Sequence, residues 1–342
     1  MDSGSGPKLK DVAKLARCSP TTVSRVLNDH PFVSEEVRER VRRAAQSLGY
    51  VPNGSARALR STRSRIVGIV IPTLKNAIYA TMVDALEARL SKDGVSLIIG
   101  TSSYDAWSEH AQVTTLVERG AEAIVLVGHL HRKETIDLLN RQGIPHVYTY
   151  TSRSSETGAS VGFDNTHAGA MAAEFLHSYG HRRFGMISGL TKDNDRATER
   201  RDGFVKTLAA LGVKRSAIAT AEAPYTIEGG VTAMRTLLAG AVSLTAVFCG
   251  SDTIAAGVVK FCNQQGMAVP GDLSVLGFDN LEIAELTSPQ LSTIEVPAEE
   301  MGLRTAEYIL APASQRVFMR NRELNTRLIV RGSTGPAPRG DA

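Results

Sequence analysis

At 342 residues the chain exceeds one ordinary hydrophobic core and suits a small domain joined to one or two larger lobes. No run approaches the roughly 20 apolar residues of a membrane span, and Met1 to Pro7 lacks the apolar centre of a secretion signal, so a cytoplasmic location with no membrane partner is expected. Cys18, Cys249 and Cys262 fit neither a disulfide framework nor metal spacing, and the net charge of +4 is unevenly divided: residues 1–65 carry 13 Lys and Arg against 6 Asp and Glu, the remainder 26 against 29.

The basic end is more than a solvated tail, because its charges are interleaved with apolar residues at helical spacing. Leu9, Val12, Ala13 and Ala16 predict a short helix ending near Arg17 or Cys18. Ser19 as N-cap and Pro20 at the first helical position predict a second helix from Pro20 to about Asn28. Its inner face is Val23, Val26 and Leu27. Its outer face presents Thr21, Thr22, Ser24, Arg25 and Asn28, which can bond phosphates and guanine edges. Ser34 opens a third helix, with Glu35 and Glu36 well placed for its dipole, that continues through Val37, Val41, Ala44 and Leu48 to a stop at Gly49. Three short helices sharing one apolar side predict an all-α helix-turn-helix headpiece over residues 1–50, attracted by its charge to phosphate backbones.

The runs LKDVAKLA from Leu9, SPTTVSRVLN from Ser19 and LGYVPN from Leu48 closely resemble the headpiece of the LacI family of repressors. The resemblance implies double-stranded operator DNA as partner, read by Ser19, Pro20, Thr21, Thr22, Ser24, Arg25 and Asn28. Pro20 stands where many relatives carry a longer polar side chain, so fixing the helix start is its expected part. Residues 51–65 follow as hinge and linker. The stretch Asn53 to Arg60 is long enough for two helical turns but, with Gly54, holds them poorly alone. The family pattern implies a hinge helix in the minor groove, with Asn53, Ala56 and Leu59 toward the DNA and Leu59 wedged into a base step. An ordinary linker is the other reading, and Ser61 to Ser64 looks like one.

From Arg65 onward apolar runs alternate with helical patterns. Strands are expected at Ile66 to Ile71, Val95 to Ile99, Ala123 to Val127, Val147 to Tyr150, Phe184 to Ile187, Ala246 to Cys249 and Val275 to Phe278. Alternation of this kind implies an α/β fold of parallel sheets with helices on both faces, and two such halves predict two lobes. The default ligand pocket is then the cleft beyond the carboxyl ends of the strands. The resemblance extends to a two-lobed periplasmic-binding-protein-like domain over 66–336, with one lobe at 66–164 and 294–325, the other at 165–293 and 326–336, and a flexible tail at 337–342.

Within that domain, DRATERRDGF from Asp195 resembles the family's ligand-contacting segment and assigns Arg200 to the effector. VLGFDN from Val275 resembles the strand whose terminal aspartate, Asp279, accepts hydrogen bonds from ligand hydroxyls or amines. Tyr79, Tyr150, Phe163, Tyr225 and Ser251 join them as candidates because each lies near a strand end or a helix start, with packing the alternative for each. Arg196 and Arg200, one turn apart, would together suit a carboxylate or phosphate, so a small-molecule effector such as a sugar acid is expected. Gly158 to Gly162 fits G-x-S-x-G without the strand-serine-helix context that motif needs. His129 and His131 read as a solvated loop rather than a metal clasp. No cofactor, metal or catalytic set is expected, and the tail lacks apolar heptads, which favours a homodimer. The expected function is a metabolite-gated DNA-binding repressor, not an enzyme.

Overall fold

The computed structural model describes residues 6–27, 30–51, 64–153 and 158–338. The chain divides into two units, Met1–Ser64 and Arg65–Ala342. In the first, α1 (Leu9–Leu15), α2 (Pro20–Leu27) and α3 (Glu35–Ser47) enclose Val12, Val23, Val26 and Val41. Arg17, at φ 53°, turns the chain between α1 and α2, and the amide of Cys18 closes the turn on the carbonyl of Ala13 at 3.0 Å. Ser19 caps α2 by accepting the amide of Thr22 at 3.0 Å. Arg40 Nε donates to the carbonyl of Ala16 at 3.0 Å and pins α3 to the end of α1. Asn28, Asn53, Ala56 and Leu59 lie outside the described residues.

The second unit opens with β1 (Ile66–Ile71), α4 (Ala77–Ser91), β2 (Ser96–Thr101), α5 (Ala106–Glu118), β3 (Ala123–Val127), α6 (Lys133–Arg141), β4 (His146–Thr149) and β5 (Ala159–Gly162). It continues through α7 (Asn165–Ser178), β6 (Phe184–Gly189), α8 (Asp195–Ala210), β7 (Ile218–Ala223), α9 (Ile227–Leu238), β8 (Ala246–Cys249) and α10 (Asp252–Gln265). Then come β9 (Ser274–Asp279), α11 (Ile283–Leu286), β10 (Ser292–Glu295), α12 (Ala298–Leu310), α13 (Ala313–Arg316), β11 (Asn321–Glu323) and β12 (Arg327–Ile329).

Two sheets result, in the orders β2-β1-β3-β4-β5-β11 and β7-β6-β8-β9-β10-β12. Their pairings are parallel except that β12 runs antiparallel to β10. The central strands are continuous apolar runs because helices cover both faces. Edge strand β7 alternates buried and open positions along IATAEA, so its sequence carries no such run. β10 stays paired with β9 as far as Glu295, opposite Asp279, so the chain leaves the second sheet just after the expected crossing at 294. α7 and α8 touch backbone to backbone: a Cβ on Gly169 would lie 2.1 Å from the carbonyl oxygen of Arg200, and one on Gly203 2.1 Å from that of Thr166. This contact seats Arg200 beside Asn165.

Candidate functional site

Strand order reverses between β1 and β3 in one sheet and between β6 and β8 in the other, and such switch points open crevices beyond the carboxyl ends. The loops leaving both sheets there meet across one cleft. Tyr104, just after β2 at φ 59°, stacks on Tyr225, just after β7, with ring centroids 5.9 Å apart and planes 23° apart. The hydroxyls of Tyr79 and Tyr104 lie 3.5 Å apart, and Tyr79 meets Tyr150 edge-on at 5.2 Å. Tyr150 donates to the carbonyl of Ile78 at 2.7 Å, and Asn194 donates to the Tyr225 hydroxyl at 3.3 Å. Burial pushes the phenols of Tyr104, Tyr150 and Tyr225 above their ordinary range, so this wall is neutral.

Beneath it lies a buried polar set. Arg200 Nη1 donates to Asn165 Oδ1 at 2.5 Å, and its guanidinium sits 4.0 Å over the ring of Phe278. Asn165 in turn donates to the carbonyl of Tyr150 at 2.9 Å. Asp279 ends β9 at φ 107°, bonded to the side chain of Ser251. Burial drives its carboxyl well above the usual range, against the opposing pull of Arg200. Ser251 also caps α10 by accepting the amide of Thr253 at 3.2 Å. Phe163 is fully enclosed 6.0 Å from Phe278, a packing position at the base of the site.

Arg196 departs from expectation. Its Nη1 donates to the carbonyl of Val127 at 2.9 Å and pairs with Asp195 Oδ1 at 2.6 Å, so it reaches across to the other lobe instead of joining Arg200. Asp195 accepts the backbone amides of His129 and Leu130 at 2.5 and 3.1 Å. Burial alone would raise the Asp195 carboxyl, but Arg196 and the His129 donors hold it well below the usual range. One turn on, Glu199 pairs with Arg153 of the first lobe at 2.6 Å. The start of α8 therefore clasps the opposite lobe at three positions while Arg200 faces the polar set.

In the histidine loop Leu130 is exposed and His129 partly so, but the side chain of His131 is not solvated as expected. His131 is enclosed between Glu109, at 2.8 Å from Nδ1, and the carbonyl of Gly128, at 3.1 Å from Nε2. Ser160 of the G-x-S-x-G match lies within β5, with its hydroxyl donating to Asn321 Oδ1 at 3.3 Å, far from the turn a nucleophile elbow requires. Tyr104, Asn165 and Asp195 are the site residues sequence reasoning missed. Tyr104 was within reach of the rule that ligand groups follow strand ends, had β2 been read through Thr101 instead of Ile99; Asp195 opens the DRATERRDGF segment but was given no part of its own there, and Asn165 carries no local signal.

In the first unit Ser19, Pro20, Thr21 and Arg25 are exposed on the start and outer face of α2, with Thr22 and Ser24 half-buried beside them. That face, set over an apolar underside, is a surface of short polar groups and one arginine.

Residues 8–53 match the family model described as bacterial regulatory proteins, lacI family, and residues 173–334 match that of the periplasmic binding protein-like domain. The ribose operon repressor of Haemophilus influenzae is 33% identical over 305 residues, covering 88% of this chain and 90% of that protein. The transcriptional repressor CytR of Escherichia coli is 30% identical over 333 residues, covering 96% of this chain and 97% of that protein. The crystal structure of a LacI family transcriptional regulator from Silicibacter pomeroyi superposes with a TM-score of 0.88 at 26% identity, over 96% of this chain and 99% of that one.

Proposed function

The chain belongs to the lacI family of DNA-binding transcriptional repressors, and on that premise we propose that it acts as a cytoplasmic homodimer whose hold on operator DNA is set by a neutral, hydroxyl-rich effector in the cleft. The single observation that carries the effector class is the commitment of Arg196 to Asp195 and Val127. With that guanidinium paired, Arg200 has no second guanidinium beside it, and the two-arginine fork that would suit a carboxylate or phosphate is not formed. A sugar ring supplies what the site offers partners for: hydroxyls for Asp279, Ser251 and Arg200, and a flat apolar face for the tyrosines. The name of the ribose operon repressor, a relative that governs a sugar operon, supports the same class.

On the DNA side, Ser19, Thr21, Thr22, Ser24, Arg25 and Asn28 are proposed to read the major groove, Pro20 to set the helix start, and Asn53, Ala56 and Leu59 to contact the minor groove. A dimer places two such headpieces on a near-palindrome. Effector binding changes operator affinity by favouring one relation of the lobes over another, and a coupling of about 1–3 kcal/mol suffices. The test is footprinting of the full chain on the region upstream of its own gene, with and without members of a panel of neutral sugars, nucleosides and sugar acids. A protected near-palindrome shifted by a neutral sugar supports the proposal. Response to acids alone refutes the effector class, and absence of any protected site refutes the regulatory role.

A further inference from the structure

Asp252 opens α10 directly after Ser251 and is fully enclosed. Both of its oxygens are engaged: Oδ1 accepts the hydroxyl of Thr293 at 2.6 Å, and Oδ2 the amide of Leu281 at 2.7 Å. Thr293, its proton directed at Asp252, accepts the amide of Asn280 at 3.3 Å. One carboxylate thus holds the two amides that follow Asp279, one directly and one through a hydroxyl. The turn needs such a hold, because Asp279 and Asn280 have φ 107° and 56°, consecutive conformations that residues other than glycine keep only when their surroundings fix them. Gly277 makes the room, since a Cβ there would fall 2.1 Å from Asp252 Oδ1. Thr293 lies on β10, from which the chain passes through Pro297 into α12 of the first lobe. There α12 is packed so closely on α4 that a Cβ on Gly302 would be 2.4 Å from the carbonyl oxygen of Met82. The side chain of Asn280 repeats the link, donating to Glu295 Oε1 at the end of β10 and accepting from Arg331, both at 2.9 Å.

We propose, resting on the effector role given to Asp279 above, that Asp252 is a positioning residue: through Leu281 and Thr293 it fixes the turn that presents the Asp279 carboxyl to the effector, and it ties that turn to the strand that crosses between the lobes. A second buried carboxyl beside Asp279 is otherwise a burden, since its charge raises the Asp279 carboxyl beyond the effect of burial. An asparagine would avoid the charge, but its amide has one acceptor oxygen where the Thr293 hydroxyl and the Leu281 amide each need one. With the relay broken, Asp279 keeps its place in the chain but is free to leave the conformation that faces the ligand. Effector affinity then falls although no group in contact with the effector has been changed.

The test compares Thr293→Val, Thr293→Ser and Asp252→Asn in the full chain. Valine keeps the shape of threonine without the relay oxygen, and serine keeps the oxygen. Without ligand, hydrogen exchange resolved to single amides should be about tenfold faster at Asn280 in Thr293→Val, faster at Leu281 or Asn280 in Asp252→Asn, and unchanged in Thr293→Ser. D-ribose, D-glucose, D-galactose and cellobiose serve as calorimetric probes. Thr293→Val should bind the sugar that the parent binds about three- to tenfold more weakly, and Thr293→Ser should bind it like the parent. The same Thr293→Val change made in Asp279→Asn should cost almost nothing further, because a positioning residue acts only through the group it positions. An equal loss in both backgrounds marks general damage and overturns the proposal, as does parent-like exchange at both amides in Thr293→Val and Asp252→Asn. Loss of affinity in Asp279→Asn but not in Thr293→Val overturns this proposal alone. Parent-like affinity in Asp279→Asn, or binding of none of the four sugars, overturns the effector reading and this proposal with it.

Discussion

The carboxylate of Asp195 is seated against Gly128: a Cβ on Gly128 would fall 2.5 and 2.7 Å from its two oxygens and 2.0 Å from Arg196 Nη1. Gly128 also has φ 90°, a conformation other residues adopt only with strain. The residue just after β3 in one lobe is thus a socket for the first two residues of α8 in the other. It accommodates a charged pair whose partners are the amides of His129 and Leu130 and the carbonyl of Val127.

Gly128→Ala should therefore disable this seating. The backbone strain alone costs about 1–3 kcal/mol, and the methyl group displaces both partners. Operator affinity measured by anisotropy with and without effector is expected to become nearly the same, while operator binding itself persists because the headpiece is a separate unit. A full effector response in this variant would show that the lobes do not need the socket.

Asp279 is predicted to trade stability for binding. Its carboxyl ionises near pH 4 in the unfolded chain but is raised well above that in the folded one, first by burial and then by its neighbour Asp252, itself pushed up to about 7. A raised folded pKa gives stability that is complete below the unfolded value and is lost as pH rises through the folded one. Asp279→Asn carries no such loss, so its melting temperature should exceed the parent's at pH 8, by about 2–4 °C for each kcal/mol recovered, and the two should converge toward pH 4. Effector affinity should fall by about tenfold, because one carboxyl oxygen that can accept from ligand hydroxyls is replaced by an amide nitrogen that only donates.

Gly169→Ala tests the positioning of Arg200. The added methyl would meet the Arg200 carbonyl oxygen at 2.1 Å and force α7 and α8 apart. Overpacking of this kind costs about 1–3 kcal/mol, and the parting withdraws Arg200 from Asn165. Chemical denaturation should show the stability loss, and calorimetry a weaker effector. Unchanged affinity in a destabilised variant would detach Arg200 from ligand binding.

Arg25→Ala probes the other unit. Arg25 is exposed on α2, and its loss should reduce discrimination at one base position of each half-site by about 1–3 kcal/mol. Binding to a panel of single-base operator variants measures this. A uniform weakening across the panel would instead make Arg25 a phosphate contact.

The headpiece was legible in the chain itself because its signals are local. Ser19 and Pro20 start α2, Ser34 and Glu35 start α3, and the spacing of Val12, Val23, Val26 and Val41 marks the buried side, all within windows of a few turns. The central strands were legible for the same reason, as unbroken apolar runs, whereas β5, β7 and the short β10 to β12 are brief or edge strands that need no such run. Arg200 and Asp279 were singled out through resemblance to the family. What only the tertiary structure decided is the division of labour between Arg196 and Arg200, which one helix presents a turn apart. The first meets Asp195 and the Val127 carbonyl, 69 residues away; the second meets Asn165, 35 residues away. The stacking of Tyr104 on Tyr225 and the socket at Gly128 are likewise contacts between lobes. No periodicity or cap encodes them, because charge pairing and ring stacking depend on which distant groups the fold brings within a few ångströms.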